Sequence, residues 1–202
     1  MTPGDLVQRV TEAVAGGVDL VQLREKDLSN DELLELARTP LEAIGGKAKL
    51  IVNERADVAL AAGAQGVQLG EAGPPVSEAR KTLGGDALIG RSVHSLQSAV
   101  QAEDDGADFL LVGTMFASRS HPGETPAGPG LMREVSAKSR LPLIGIGGIT
   151  PENATEVMKA GASGVAVITN ILAAQDPKAA AAKLKEAISE AWRVSEKPAR
   201  VG

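Results

Sequence analysis

The sequence predicts an α/β protein, a TIM-type (β/α)8 barrel that lacks its first strand. Three observations carry this. Short, continuous runs of Val, Ile and Leu recur along the chain, as strands buried on both faces of a parallel sheet require. Segments with helical spacing separate them. One phrase also repeats, as "AGGVDLVQL", "AGAQGVQL", "DGADFLLVG" and "AGASGVAVI". Each copy has a glycine (Gly16, Gly63, Gly106 and Gly161) where a helix should end and a strand begin. The copies lie about two strand–helix units apart. Barrels of such units usually take about 200 to 250 residues, and this chain has 202. The rival architecture is an open doubly wound sheet.

Taken in order, the first element is a helix around Asp5 to Ala15, with Leu6, Val10 and Val14 on one face and no strand before it. The strand run "VDLVQLR" follows, then a helix with Leu33, Leu36 and Ala37 on a shared face. "AKLIVN", "GVQLG" and "LIGRSVH" are the next strand runs, and a helix starts around Ser95. "FLLVGTMF" and "LPLIGIGG" come next. "TPEN" opens a helix with Pro151 near its start and Val157 and Met158 on one face. "GVAVIT" is the last strand run, and an alanine-rich helix from Pro177 to Trp192 places Leu184 and Ile188 together. This gives seven strands and eight helices. Either the chain is truncated at its start, or the first strand position is vacant or filled by something else. Seven strands do not close the usual barrel. The neighbours of the gap are therefore expected to pair directly, or another segment or a second subunit to cover it. The reading is one domain over 1–202, with 193–202 a disordered or loosely attached tail.

Composition narrows function. Hydrophobic residues make up 43% and charged residues 23%, ordinary for a soluble globular chain. A net charge of -5 argues against a general nucleic-acid or anionic-membrane surface. The chain has no cysteine, which excludes disulfides, zinc–thiolate sites and thiol nucleophiles. No apolar run of membrane-spanning length and no signal-peptide pattern is visible, so the expected location is the cytoplasm. With no Tyr, one Trp and two Phe, the core must be built from Ala, Val, Leu and Ile.

In a barrel the site lies at the carboxyl ends of the strands. The residues just after each apolar run are therefore the candidates. Arg24 and Lys26 follow the first run. They are either two convergent cations for a phosphate or diphosphate, or a solvated charged rim. Asn53 and Glu54 follow the second, to bind a hydrated cation or polar substrate or to cap the helix beginning near Arg55. Gln68, Glu71, Ser92 and His94 come next, His94 best read as capping or packing. Gly147 and Gly148 in "IGIGGIT" let backbone N–H groups approach an anion, and Thr169 and Asn170 in "ITNIL" form the second such loop. The alternative for "GIGGIT" is a tight strand-to-helix turn.

"VQLREKDLS", "LIVNERADVALAAGAQGVQLG", "IGRSVHSLQSAVQAEDDGADFLLVGTMF" and "IGIGGITPENATEVMKAGASGVAVITNIL" resemble, in order and from Leu6 to Leu172, the thiamin phosphate synthase and TenI family. The resemblance implies an eight-stranded barrel and one of two activities. The synthase joins hydroxymethylpyrimidine diphosphate to thiazole phosphate and releases diphosphate, with Mg2+. The TenI-type tautomerase shifts a proton to aromatise thiazole carboxylate phosphate, without metal. This chain departs from both patterns. Synthases usually show Asn-Asp where this chain has Asn53-Glu54, and a second metal-binding Asp where it has Gly73. TenI-type proteins place a catalytic histidine where it has Thr114. Synthases also carry a loop of the form Thr-x-Thr-Lys, which falls here on Ser118, Ser120 and His121 in "SRSHPG".

The reading leans to a tautomerase in the thiamin pathway, with His121 and Glu54 as catalytic groups. Substrate and phosphate would rest on Gln22, Arg24, Lys26, Asn53, Gln68, Ser118, Ser120, Gly147, Gly148, Thr169 and Asn170. No metal or cofactor is favoured. The synthase is the alternative, with Mg2+ on Glu54 and Glu71, and a non-catalytic phosphate-ligand regulator is the third reading. The expected partner is a small phosphorylated substrate, with no nucleic acid and no membrane, and a homo-oligomer is compatible with the sequence.

Overall fold

The computed structural model describes residues 3–117 and 125–194. In chain order the elements are α1 (Pro3–Ala15), β1 (Leu20–Leu23), α2 (Asn30–Ile44), β2 (Lys49–Asn53), α3 (Ala56–Ala62), β3 (Gly66–Leu69), α4 (Val76–Leu83), β4 (Leu88–Val93), α5 (Leu96–Asp104), β5 (Phe109–Gly113), α6 (Gly128–Ser136), β6 (Leu143–Ile146), α7 (Ala154–Lys159), β7 (Gly164–Ala166), α8 (Thr169–Leu172) and α9 (Pro177–Val194). The seven strands form one parallel sheet in sequence order, β1 to β7. This is the curled, TIM-like arrangement that the alternation implied, rather than a doubly wound sheet with a switch in strand order.

Each strand obeys the period-two rule. Leu50 and Val52 of β2, Val67 and Leu69 of β3, Leu110 and Val112 of β5, and Leu143 of β6 join the core between sheet and helices. Their alternates therefore face the other side, towards the barrel lumen: Ile51, Asn53, Gln68, Leu111, Ile144 and Ile146. Few aromatics are needed because alanines let the helices come close. Ala37, Ala59, Ala99, Ala154 and Ala162 have no accessible surface. Helix starts follow local chemistry. Ser29 and Glu32 form a reciprocal capping box on α2, as Ser95 and Ser98 do on α5.

The repeated glycine behaves as expected in three copies. Gly63, Gly106 and Gly161 all have positive φ at helix ends. In the first copy Gly17 takes that role, with φ 106. Gly16 serves another purpose, since a Cβ there would lie 2.3 Å from the Lys178 carbonyl oxygen and 2.8 Å from Ala181 Cβ. It is the close approach of α1 to α9 that requires glycine.

β1 and β7 are not paired with each other, so direct pairing across the gap does not occur. The outer layer closes instead. α9 packs on both α1 and α7, and Arg9 of α1 donates to the carbonyls of Leu172 (3.2 Å) and Ala174 (2.7 Å) beside α8. Helices thus cover the side where the sheet stays open.

Two sequence expectations need correction. The described residues hold nine helices, not eight, because Thr169 and Asn170 begin the one-turn α8 rather than a loop. α9 also runs to Val194, so Arg193 and Val194 of the expected tail are helical. The rest of that tail lies outside the described residues.

Candidate active site

Two amide contacts line the carboxyl ends of β1 to β4. Gln22 Nε2 donates to Asn53 Oδ1 at 3.0 Å. Gln68, 2% exposed, donates from Nε2 to Ser92 Oγ at 3.1 Å and to the Leu69 carbonyl at 3.2 Å. Both bonds are internal, so Gln68 builds the floor of the site. Gly90 makes room for it, since a Cβ there would sit 2.2 Å from Gln68 Oε1 and 2.2 Å from Phe109 Cζ. Ser92 was visible on the rim in the sequence but not singled out. Its position two residues after Gly90, on the same strand face, is the signal that finds it.

Glu54 follows β2 with φ 60, unusual for a residue with a Cβ. Its N–H donates to the Gln68 carbonyl at 3.0 Å, which holds the backbone in that turn. The side chain is half-buried and reaches over the β3–α4 loop. Glu54 Oε1 lies 2.8 Å from where a Cβ on Gly70 would be and 3.1 Å from where one on Gly73 would be. The longer carboxylate therefore fills the notch that these two glycines leave. Among the described residues no donor or cation is bonded to it.

That loop is fixed from β4. Arg91 Nη2 donates to the Glu71 carbonyl at 2.8 Å, and Nη1 to the Pro74 carbonyl at 2.6 Å. Glu71 itself turns away from Glu54. Its Oε2 meets His94 Nδ1 at 2.7 Å, and its Oε1 accepts the His94 N–H at 3.1 Å. Burial works to raise the Glu71 carboxyl, but hydrogen bonds from Ser98 and His94 outweigh it and hold the group below the usual carboxylate range. Glu71, the second carboxylate named for the synthase alternative, has its oxygens engaged by His94 in this structure. His94 thus joins β4 to the β3–α4 loop through its ring and its backbone N–H.

β1 ends at Leu23, so Arg24 and Lys26 sit on the β1–α2 loop rather than on the strand end. Both are exposed, and neither has an ion-pair partner among the described residues.

The other end of the sheet carries the glycine pair. Gly147 and Gly148 have φ 100 and 61. A Cβ on Gly147 would lie 2.4 Å from Thr114 Cγ2, and one on Gly148 2.5 Å from the Ala117 carbonyl oxygen. Both glycine carbonyls point back into the protein, accepting from Phe116 N at 3.0 Å and Asn153 Nδ2 at 3.0 Å. No bond from their N–H groups to a described residue competes with an anion. The tight turn and the anion cradle are thus compatible readings of one loop. Exposed Thr169 and half-buried Asn170 begin the one-turn α8; Ile171 and Leu172 donate to the Ile168 carbonyl, which leaves the N–H groups of Thr169 and Asn170 as the donors of this loop. Ser118, Ser120 and His121 lie outside the described residues.

The rim is therefore two-ended. A carboxylate, two free cations and four lumen-side polar groups stand at β1 to β4, and two backbone donor loops stand at β6 and β7. Among the described residues no three His, Cys, Asp or Glu side chains converge as a metal cluster. None of their helices is long and apolar enough to cross a membrane.

A sequence profile described as thiamine monophosphate synthase matches residues 1–171. The thiamine-phosphate synthase of Shouchella clausii is 44% identical over 193 residues, covering 94% of this chain and 92% of that protein. That of Moorella thermoacetica is 43% identical over 187 residues, covering 92% and 89%. The solved structure of thiamine phosphate pyrophosphorylase from Pyrococcus furiosus superimposes with a TM-score of 0.84 at 35% identity, covering 92% of this chain and 90% of that one.

Proposed function

Because the chain belongs to the thiamine monophosphate synthase family, we propose that it is a transferase joining hydroxymethylpyrimidine diphosphate to thiazole phosphate. This reverses the sequence's lean towards the tautomerase, since the relatives at 43–44% identity are named as synthases. The observation that carries the reading is Glu54. Its carboxylate, without a partner among the described residues, stands in the space beside Gly73 where the family's second aspartate is absent.

Magnesium is commonly held by one or two carboxylates together with substrate phosphates. The donor set fits that mode, with Glu54 as the protein carboxylate and the diphosphate supplying further oxygens. A Mg2+ ion held there by Glu54 and the substrate would supply neutralisation of the diphosphate charge. Arg24 and Lys26 add positive charge from the β1–α2 loop. Gly147, Gly148 and α8 receive the thiazole phosphate at the other end, so the two substrates approach from opposite ends of the rim.

In the reaction the thiazole nitrogen lone pair forms a C–N bond to the pyrimidine methylene carbon. The C–O bond to diphosphate breaks, and diphosphate leaves with that electron pair. The nitrogen becomes a thiazolium cation and no proton moves. Thr114, standing where tautomerases carry a histidine, is thus no obstacle, and His121 is assigned an anion-holding role. Small charged substrates and a cysteine-free chain suit a cytoplasmic enzyme.

The test supplies the purified chain with both substrates and Mg2+. Thiamin phosphate and diphosphate should form in equal amounts, and chelation should stop the reaction. Aromatisation of thiazole carboxylate phosphate without Mg2+, in the absence of coupling, would restore the tautomerase. Binding of thiazole phosphate with neither turnover would favour the regulator.

A further inference from the structure

Arg55 follows Glu54 directly and is half-buried. It occupies the N-cap position of α3, yet its side chain caps nothing there. The guanidinium leaves its own element and crosses to the β1–α2 loop. Nη1 donates to Asn30 Oδ1 and Nη2 to the Leu28 carbonyl at 3.1 Å. Asn30 is held in turn, its Nδ2 donating to Asp57 Oδ2 at 2.6 Å. Arg55 and Asp57 at the start of α3 thus grip Asn30 at the start of α2 from two sides.

The gripped loop is the one that carries Arg24 and Lys26. It is exposed over most of its length. Its far end is set by the Ser29–Glu32 capping box, which is internal to α2. Among the described residues, the one hydrogen bond that joins the segment from Arg24 to Ser29 to an element other than α2 is that from Arg55 to the Leu28 carbonyl, and a second from Arg55 holds Asn30 just beyond it. Two acceptors at fixed separation suit the planar guanidinium fork; a lysine offers one point charge on a flexible stem. Without that grip, a solvated loop with few packed contacts samples many positions.

We infer that Arg55 is a positioning residue, which fixes the distance between the two-cation loop and the Glu54 carboxylate so that both meet one diphosphate. This rests on the synthase reading for the identity of the anion, but the mechanical link stands on the hydrogen bonds alone. Arg55 touches no reacting atom. It acts through Leu28 and Asn30 on one side and through its peptide bond to Glu54 on the other.

The test uses Arg55→Gln, Arg55→Lys, Asn30→Ala and the Arg55→Gln/Asn30→Ala double variant. Trypsin cleavage after Arg24 and Lys26, read by mass spectrometry, should speed up about tenfold in Arg55→Gln while the melting temperature changes little. KM for the pyrimidine diphosphate should rise roughly 10- to 100-fold, the scale expected of an ångström-sized misplacement, while KM for thiazole phosphate stays constant. Arg55→Lys should not rescue either effect. The double variant should be no worse than Arg55→Gln, because both changes cut one link. Unchanged cleavage, an equal rise in both KM values, or additive losses in the double variant would overturn the inference. If the wild-type chain shows no coupling activity, the synthase reading fails on its own. Trypsin cleavage and calorimetric binding of inorganic diphosphate then decide the clamp: faster cleavage with weaker diphosphate binding in Arg55→Gln supports it, and either one unchanged refutes it.

Discussion

If Glu54 alone stands in for two carboxylates, it and Gly73 should be interchangeable only as a pair. Gly73→Asp places a Cβ 3.1 Å from Glu54 Oε1 and 3.0 Å from the Gly70 carbonyl oxygen. The Cβ alone is therefore tight, and the new carboxylate lies beside an existing one. Two like charges about 4 Å apart repel by ~1 kcal/mol in water and ~4 kcal/mol at an effective dielectric near 20. Glu54 is half-buried, so an intermediate cost of about 1–3 kcal/mol is expected. At roughly 2–4 °C per kcal/mol for a chain of this size, the melting temperature should fall by about 2–12 °C without metal. Glu54→Asp withdraws the carboxylate by one methylene, about 1.5 Å, and leaves the notch empty, so the apparent requirement for Mg2+ should rise. The double variant removes the crowding and provides two carboxylates. It should recover stability and need less Mg2+ than Glu54→Asp alone. Glu54→Gln keeps the shape and loses the charge, with kcat/KM expected to fall roughly 10²- to 10³-fold, the usual worth of one preorganised electrostatic group. The assay is product formation against Mg2+ concentration, paired with calorimetric melting in chelator. Full activity in Glu54→Gln, or a Gly73→Asp chain as stable and as Mg2+-responsive as the parent, would refute the reasoning.

Three further outcomes are expected. Arg80 donates to the Ala87 carbonyl at 2.6 Å and to Asp108 Oδ2 at 2.7 Å, joining the α4–β4 and α5–β5 turns; Arg80→Ala should cost about 1–2 kcal/mol by denaturant unfolding, because it removes a partly exposed ion pair and a carbonyl bond while Asp108 keeps the Ile89 N–H, and KM values should hold. Glu71 has its folded carboxyl below the ordinary 4.5, so its contribution is present above that value and lost as pH falls through the lowered one; Glu71→Gln should destabilise the chain at neutral pH, and the difference should shrink in acid melts below pH 4.5. His121→Lys keeps a cation in "SRSHPG" but not a base near neutral pH; steady-state rates should be equal or higher, and a loss of roughly 10²-fold or more would point to general acid–base catalysis instead.

The sheet was legible because its signal is physical and local. A strand covered by helices on one face and facing a barrel lumen on the other is apolar over most of its length, so the seven runs marked the seven strands even where Gln22, Gln68 and Ser92 interrupt them. Their carboxyl ends were less legible. "FLLVGTMF" runs past the strand that ends at Gly113, because Met115 remains buried in the core beyond the last strand residue, as Ile149 does beyond the strand that ends at Ile146. The apolar pattern reports burial and not hydrogen bonding, and the two part company where a barrel strand gives way to a site loop. The same limit governs the site. Asn53, Glu54 and Gln68 could be picked from their position after a run. Arg55 and Arg91 could not, because each acts on carbonyl groups of another loop, and a carbonyl leaves no mark on a residue pattern. Glu71 looked like a ligand for the same reason: its engagement by His94 depends on how β4 and the β3–α4 loop meet, a distance of 23 residues in the chain. The apparent loss of a carboxylate at Gly73 and the apparent lengthening of another at Glu54 read as two defects in sequence. In space they are one arrangement, since the glycine is what gives the longer side chain its room.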